Sequence, residues 1–330
     1  MSHKNFYQFK AKDNYELGLL MGAQFSDTAK SFLTITKTES SWNDKLRRSK
    51  NFLKLNEQYF PQFLDEMKGY AKGAGLPFED MYVLSLEDEV DEEFTDKCTS
   101  MITNSGKLFT HNEDWDAESK NRISVIEKTI GDLSILELYY ANTLGGNSVS
   151  INSNGIIIGL NSLVSIDTQM GLSKNLICRW MQETSDPDKS IETLKSLPRA
   201  MGYNYNIVNK NGKIWNVEYS SNNLNTSIPN SPFAHSNHYL SDLKNNEGNT
   251  NANGTFDRYN SAMAGLKPQM PLNEVTILMG DKTYGDKKSI MNERTIAKII
   301  IDIKNKLAKI WLLREDELGF VDYDLSKYFT

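Results

Sequence analysis

Four tight-turn signals constrain this chain more than anything else in it. Asn104-Ser105-Gly106, Gly131, Asn154-Gly155 and Asn211-Gly212 each stand between two short β-rich runs. The runs pair as SMIT with KLFTHN, SVIEKTI with LSILELYY, NSVSINS with IIIGLN, and YNYNIVN with KIWNVEYS. Glycine and asparagine supply the positive φ that a two-residue hairpin needs, so each pair reads as two antiparallel neighbours. A chain so punctuated has to build antiparallel sheet.

Ahead of residue 97 the texture is helical. Residues 14–36 and 42–74 look like helices, and in the second Leu53, Leu55, Phe60, Phe63, Leu64 and Met67 mark one buried face. Pro61 kinks that stretch or opens a new helix, and Gly73 and Gly75 end it. Pro77 opens a short segment, PFEDMYVLSLEDEV. The acids Glu87-Asp88-Glu89 and Asp91-Glu92-Glu93 read as solvent-exposed loop, which places a composition boundary near residue 97. Later, residues 172–197 read as an amphipathic helical region and residues 241–255 as a polar loop. Residues 289–307 read as a helix, followed by a short final strand, KIWLL. Helices, hairpins, a helix pair and more hairpins imply an α+β fold of antiparallel sheets covered by helices.

Composition excludes several classes of function. Of 330 residues 24% are charged and the net charge is −6, which leaves no basic footprint for nucleic acid. Clusters such as Lys45-Leu46-Arg47-Arg48 read as solvated helix surface. The two cysteines, Cys98 and Cys178, make neither a disulfide framework nor a paired metal motif, and they fit a reducing compartment. The first residues, MSHKNFYQFKAKDNYE, lack the apolar run of a secretory signal. No stretch approaches the ~20 apolar residues of a membrane helix. The expectation is a cytoplasmic protein with no membrane or nucleic-acid partner, and with homo-oligomerisation left open.

Cys98 is either a small apolar filler in a strand or a nucleophile. A thiol attacks as thiolate and therefore needs a base beside it. His111, on the return strand of the hairpin, is one candidate, although a lone hairpin histidine is more often structural. Cys98-Thr99-Ser100, a hairpin, and then Asn112-Glu113-Asp114-Trp115 resemble the penicillin acyltransferase family. The likeness extends, more distantly, to choloylglycine hydrolases and acid-ceramidase-like amidases. GYAKGAGLPFEDM, RWMQETSDPDKSIETLKSLPRAMGYNYNIV and the closing KIWLL keep the family's order, so the resemblance covers nearly the whole chain.

These are N-terminal-nucleophile hydrolases. The resemblance implies a four-layer αββα sandwich of two antiparallel sheets between helix layers. It implies that the precursor cuts itself at Lys97–Cys98, leaving residues 1–97 as a helical pro-segment and residues 98–330 as the catalytic chain of one compact unit. The freed α-amine then serves as general base, since such an amine titrates at about 7.7–8.0. By the same resemblance Asp114 orients that amine, with Asp116 as the alternative carboxylate. Asn161, in Gly159-Leu160-Asn161, helps receive the thiol acyl group, Asn237 supplies the oxyanion hole, and Arg258 stands near the nucleophile. Where relatives carry an arginine before the Asn-x-Asp motif this chain has His111.

The implied substrate is a small-molecule acyl amide or thioester, with hydrolysis and acyl transfer both open, and no cofactor or metal is expected. Two other readings stay open: a non-catalytic, unprocessed binding protein of the same fold, and an ordinary Cys98–His111 thiol hydrolase that needs no cleavage. Elsewhere simpler roles are expected. His235 and His238 lack further ligands at metal spacing, Cys178 lies in an apolar helix, and Gly145-Gly146 is a turn.

Overall fold

The computed structural model describes residues 2–86, 89, 98–248 and 254–330. Strand β1 (Phe6–Ala11) precedes five helices, α1 (Asn14–Gln24), α2 (Ser26–Thr36), α3 (Trp42–Tyr59), α4 (Pro61–Ala74) and α5 (Phe78–Ser85). From residue 99 come β2 (Thr99–Thr103), β3 (Leu108–Asp114), β4 (Ile123–Ile130), β5 (Leu133–Tyr140), β6 (Val149–Asn152) and β7 (Ile156–Ser162). Helices α6 (Lys174–Met181) and α7 (Pro187–Ser196) lead to β8 (Tyr203–Asn209), β9 (Ile214–Tyr219), β10 (Leu224–Ser227) and β11 (Phe233–His235). Helices α8 (Thr255–Gly265) and α9 (Leu272–Met279) are followed by β12 (Thr295–Asp302), β13 (Leu307–Leu312) and β14 (Val321–Asp324).

All four turn signals close hairpins: β2–β3, β4–β5, β6–β7 and β8–β9 pair antiparallel. The strands form an eight-stranded sheet in the order β1-β4-β5-β6-β7-β8-β9-β10 and a six-stranded sheet in the order β11-β2-β3-β12-β13-β14. One pairing is parallel, that of β1 with β4. Four apolar clusters define the layers. Ile102, Phe109, Val125, Ile157 and Ile299 belong to a core between the two sheets. Helices α1–α7 cover the outer face of the larger sheet, and α8 and α9 cover the outer face of the smaller. This is the α+β, four-layer αββα arrangement. Among the described residues no helix is long and apolar enough to cross a membrane.

Local chemistry accounts for the helix ends. Phe25, at φ −102° and ψ 16°, splits residues 14–36 into two helices. Pro61 opens α4 rather than kinking a longer helix, consistent with a first-turn position where no amide hydrogen is missed. Gly75, at φ 68°, ends α4 in the left-handed conformation. Gly73 does not end it. It lies inside α4, where a Cβ would come 2.2 Å from the Leu19 carbonyl oxygen. Gly18, Gly22 and Gly69 make the same kind of close approach, so α1 and α4 touch backbone to backbone. A methyl group at Gly18 would sit 1.8 Å from the Glu66 carbonyl oxygen, an overpacking that costs at least ~1–3 kcal/mol.

The expected helix over 289–307 is corrected: residues 295–302 form β12, paired with β3 and β13. This strand runs TIAKIIID and is buried along almost its whole length. A strand covered on both faces shows a continuous apolar run with no alternation, and its isoleucines favour sheet. Residues 172–197 resolve into α6 and α7. The polar 241–255 stretch contains a short 3₁₀ turn at Asp242–Asn246, and residues 249–253 lie outside the described residues. So do Lys97 and the acid run, apart from Glu89.

Candidate active site

Cys98 stands at the head of β2, 3% exposed, and is a non-glycine residue at φ 87°. Residues of this type rarely adopt such a φ, which marks a held, strained position. The hairpin register then sorts the neighbours by face. Ser100 lies opposite His111, and Thr99 opposite Asn112. Because side chains alternate along a strand, His111 and Glu113 face the larger sheet with Phe109, while Asn112 and Asp114 face the α8–α9 side. The cysteine therefore sits between two polar sets.

On the inner face Glu113 is the hub. Its Oε1 accepts from the Tyr140 hydroxyl at 2.8 Å, and its Oε2 accepts from Ser148 and lies 3.0 Å from His111 Nε2. His111 Nδ1 lies 2.8 Å from Ser100 Oγ, which donates to Asn161 Oδ1 at 2.8 Å. Because the Ser100 proton points to Asn161, Ser100 Oγ is left to accept from His111 Nδ1. Asn161 Oδ1 also accepts from Asn206 Nδ2 at 2.9 Å, and the other hydrogen of that amide goes to Asn204 Oδ1 at 2.7 Å. Asn204 Nδ2 in turn donates to the Val217 carbonyl at 3.2 Å. A backbone carbonyl only accepts, so it fixes the direction of the whole amide chain. Asn161 Nδ2 is left buried without a partner among the described residues.

On the outer face Asp114 accepts from Asn292 Nδ2 at 2.7 Å and Thr295 Oγ1 at 2.6 Å, with Arg258 Nε 4.0 Å away. Arg258 Nε donates to Thr99 Oγ1 at 3.1 Å and Nη2 to Asn237 Oδ1 at 2.5 Å. Asn237 Nδ2 reaches the Ser162 carbonyl at 3.0 Å. Arg258 thus joins Asp114 and Asn237 on the outer face, Asn161 belongs to the inner network through Ser100, and Cys98 heads the strand between them; all five are buried. Asp116 points elsewhere, with an exposed side chain 3.4 Å from Arg294.

The electrostatics are those of a silent thiol. Burial, then the Glu113 and Asp114 carboxylates, push Cys98 well above its ordinary value. Burial also raises Asp114, with Arg258, Thr295 and Asn292 pulling it back. Cys98, His111 and Glu113 offer three donor atoms within 4.8 Å of one another, a set a soft divalent ion could take. Both ring nitrogens of His111 and both Glu113 oxygens already make hydrogen bonds. His235 faces Glu218 at 2.8 Å, whereas His238 stacks on Phe256 at 4.3 Å, so the two rings serve different surroundings. Burial lowers His238 to about 4.

Glu113, Ser100 and the Asn204–Asn206 pair were not singled out from sequence. Glu113 had a signal: it stands two residues from His111 on a strand and so shares its face. Beside the site, Tyr140 leads into a narrow cleft of about 30 Å³ lined also by Trp115, Arg122, Thr143, Asn147, Lys174 and Asn175. A wider surface groove continues from Trp115 and Arg122.

The chain is similar in sequence and in fold to several known proteins. The β-alanyl-dopamine/carcinine hydrolase of Drosophila melanogaster is 26% identical over 212 residues, 55% of this chain and 55% of that one. The 40 kDa form of acyl-coenzyme A:6-aminopenicillanic-acid-acyltransferase of Emericella nidulans is 24% identical over 213 residues, 62% of this chain and 58% of that one. The chain thus spans between half and two thirds of these curated relatives. A variant of the conjugated bile acid hydrolase from Clostridium perfringens gives a TM-score of 0.48 at 12% identity, covering 71% of this chain and 94% of that one. Penicillin V acylase from Agrobacterium tumefaciens gives 0.43 at 14%, covering 66% and 83%. Likenesses that distant carry no inference about the site. Residues 101–317, the greater part of the chain, match the family described as acyl-coenzyme A:6-aminopenicillanic acid acyl-transferase, and the chain belongs to that family.

Proposed function

We propose that this protein is a self-processing cysteine amidohydrolase or acyltransferase acting on a small linear amide or thioester through an acyl-enzyme on Cys98. One observation carries the reading: a buried cysteine at positive φ whose sulfur lies within 4.8 Å of both His111 and Glu113. The names of the two curated relatives, a hydrolase and an acyltransferase, support small-molecule acyl chemistry.

Processing comes first. Until the Lys97–Cys98 bond breaks, the Cys98 nitrogen is an amide and cannot act as a base. The thiol proton therefore passes to the Glu113–His111 pair. The sulfur bonds to the residue 97 carbonyl carbon, the C–N bond breaks, and the pair returns the proton to the departing nitrogen. Water then hydrolyses the thioester, leaving a carboxylate on residue 97 and a free thiol and α-amine on Cys98. The high thiol pKa of the intact chain suits a dormant precursor. The segments 1–97 and 98–330 stay together because β1 remains paired with β4.

In turnover the new amine, oriented by Asp114, takes the thiol proton, and sulfur attacks the substrate carbonyl. The oxyanion is met by amide donors, Asn237 and the unpartnered Asn161 Nδ2, which donate without titrating. The leaving amine takes the proton, and water or an acceptor amine releases the acyl group. Intact-mass measurement tests the scheme. Wild type gives two fragments, one ending at Lys97 and one beginning at Cys98, and Cys98→Ala gives one chain. Active wild type that stays uncut would falsify it.

A further inference from the structure

Four asparagines on three adjacent strands make a chain of amides whose bonding runs in one direction. Asn161 on β7 lies opposite Asn204 on β8, and Asn206 on β8 lies opposite Asn216 on β9. Asn204 and Asn206 alternate with Tyr203, Tyr205 and Ile207, which pack under the helices, so the amides face the other sheet. Asn161, Asn204 and Asn206 are fully buried.

Asn204 Nδ2 donates to the Val217 carbonyl at 3.2 Å and to Asn216 Oδ1 at 2.5 Å. Its Oδ1 accepts from Asn206 Nδ2 at 2.7 Å, and the second hydrogen of Asn206 goes to Asn161 Oδ1 at 2.9 Å. Each amide thereby sets the sense of the next, starting from a carbonyl that only accepts. Asn161 Oδ1 takes a second hydrogen from Ser100 Oγ. At the end of the chain Asn161 Nδ2 is buried with no partner among the described residues. Turned about, that NH₂ would face the Asn206 NH₂ and leave two donors opposed. Asn161 therefore presents its hydrogens away from β8 because Asn206 donates to its oxygen.

Resting on the reading of Asn161 as an oxyanion donor, we propose that Asn206 is a positioning residue for that donor. It touches no substrate. It holds the Asn161 amide in the one sense that offers NH₂ to the developing oxyanion. Asn206→Asp keeps the shape but replaces the donor with an acceptor. Asn161 then turns to give a hydrogen to the new carboxylate, and its carbonyl oxygen faces the oxyanion instead.

The test is a double-mutant cycle on the processed enzyme with butyryl p-nitroanilide as the probe. Asn206→Ala should lower kcat by ~10-fold with KM unchanged, the effect of one lost hydrogen bond. Asn206→Asp should lower it by ~10²–10³, to the level of Asn161→Ala. In the Asn161→Ala background either change at Asn206 should alter kcat by less than ~2-fold, because a residue acting through Asn161 has nothing left to position. A merely structural role would lower kcat by the same factor in both backgrounds.

A second readout needs no turnover. In ¹⁵N-labelled, uncut Cys98→Ala protein the Asn161 side-chain NH₂ pair is identified by its loss in Cys98→Ala/Asn161→Ala. Adding Asn206→Asp should move one proton of that pair downfield as it bonds to the carboxylate. Should Asn206→Asp fail to fold, Asn206→Ala carries both readouts.

If Asn161→Ala leaves kcat unchanged, or no anilide is cleaved, while the Asn161 pair moves as stated, the oxyanion reading fails and the positioning of Asn161 by Asn206 stands. Equal losses of kcat with and without Asn161, or an Asn161 pair that does not move, overturn the assignment of Asn206.

Discussion

Cys98 and Cys178 are 3% and 1% exposed, and burial pushes both thiols up, Cys178 to about 11. Their surroundings nevertheless differ in kind. Cys178 sits mid-helix in α6 among apolar side chains, with the Tyr205 hydroxyl at 3.3 Å. Cys98 sits at a left-handed φ at the head of a strand, between a carboxylate–imidazole pair and a carboxylate–guanidinium set. Burial and a high pKa are therefore common to both thiols and do not tell them apart. What separates them is whether groups able to take and return a proton stand within reach, and whether the backbone is held where no side chain packing requires it.

The largest expected contrast comes from deleting each sulfur. Cys98→Ala should abolish both self-cleavage and acyl release, while Cys178→Ala should leave both in place; a Cys98→Ala protein that still cuts itself and turns over would erase the distinction. Next comes the proton relay. Glu113→Gln keeps the shape of the side chain but removes the charge, and should slow processing by about 10²–10⁴, the usual worth of a positioned general base. Cleavage at the wild-type rate, followed by mass spectrometry over time, would show that the acid beside Cys98 is no more functional than the tyrosine beside Cys178. Third, Asn161→Ala should lower kcat by about 10²–10³ if its unpartnered amide meets the oxyanion. An unchanged kcat with a raised KM would instead make it a binding group.

The smallest effects belong to Cys178. Substitution with alanine should cost about 1–2 kcal/mol in a denaturant titration, since it removes one buried atom and leaves a small void. Its pKa is raised on folding, so the stability from the protonated thiol is complete below about pH 8.5, the unfolded value, and is lost as pH climbs toward about 11. The alkaline limb of wild-type stability should accordingly flatten in Cys178→Ala. Equal limbs in the two proteins would mean that this thiol titrates as if exposed.

Much of this was legible from local chemistry. The hairpins follow from residues that tolerate positive φ, and α4 starts at a proline and stops at a glycine for reasons local to those positions. The naming of Cys98, Asp114, Asn161, Asn237 and Arg258 as one candidate site rests on likeness rather than spacing, because they lie on separate segments of the chain. Three things escaped. Strand β12 has helices on one face and a sheet on the other, so its apolar run carries no period. The Asn161–Asn206–Asn204 chain depends on the register of β7 and β8, which no single strand encodes. Gly73 was read for its conformational freedom when its value lies in having no side chain against Leu19.

The parallel partnership of β1 with β4, from Phe6↔Val125 to Ala11↔Ile130, has a consequence for how the protein can be handled. Stripping away the leading segment would bare the outermost hydrogen-bonding rim of the larger sheet, the kind of surface on which foreign strands zip up and proteins clump. A recombinant product starting at Cys98 should therefore precipitate, however sound its catalytic groups, and should be rescued by supplying residues 1–97 as a separate polypeptide during refolding.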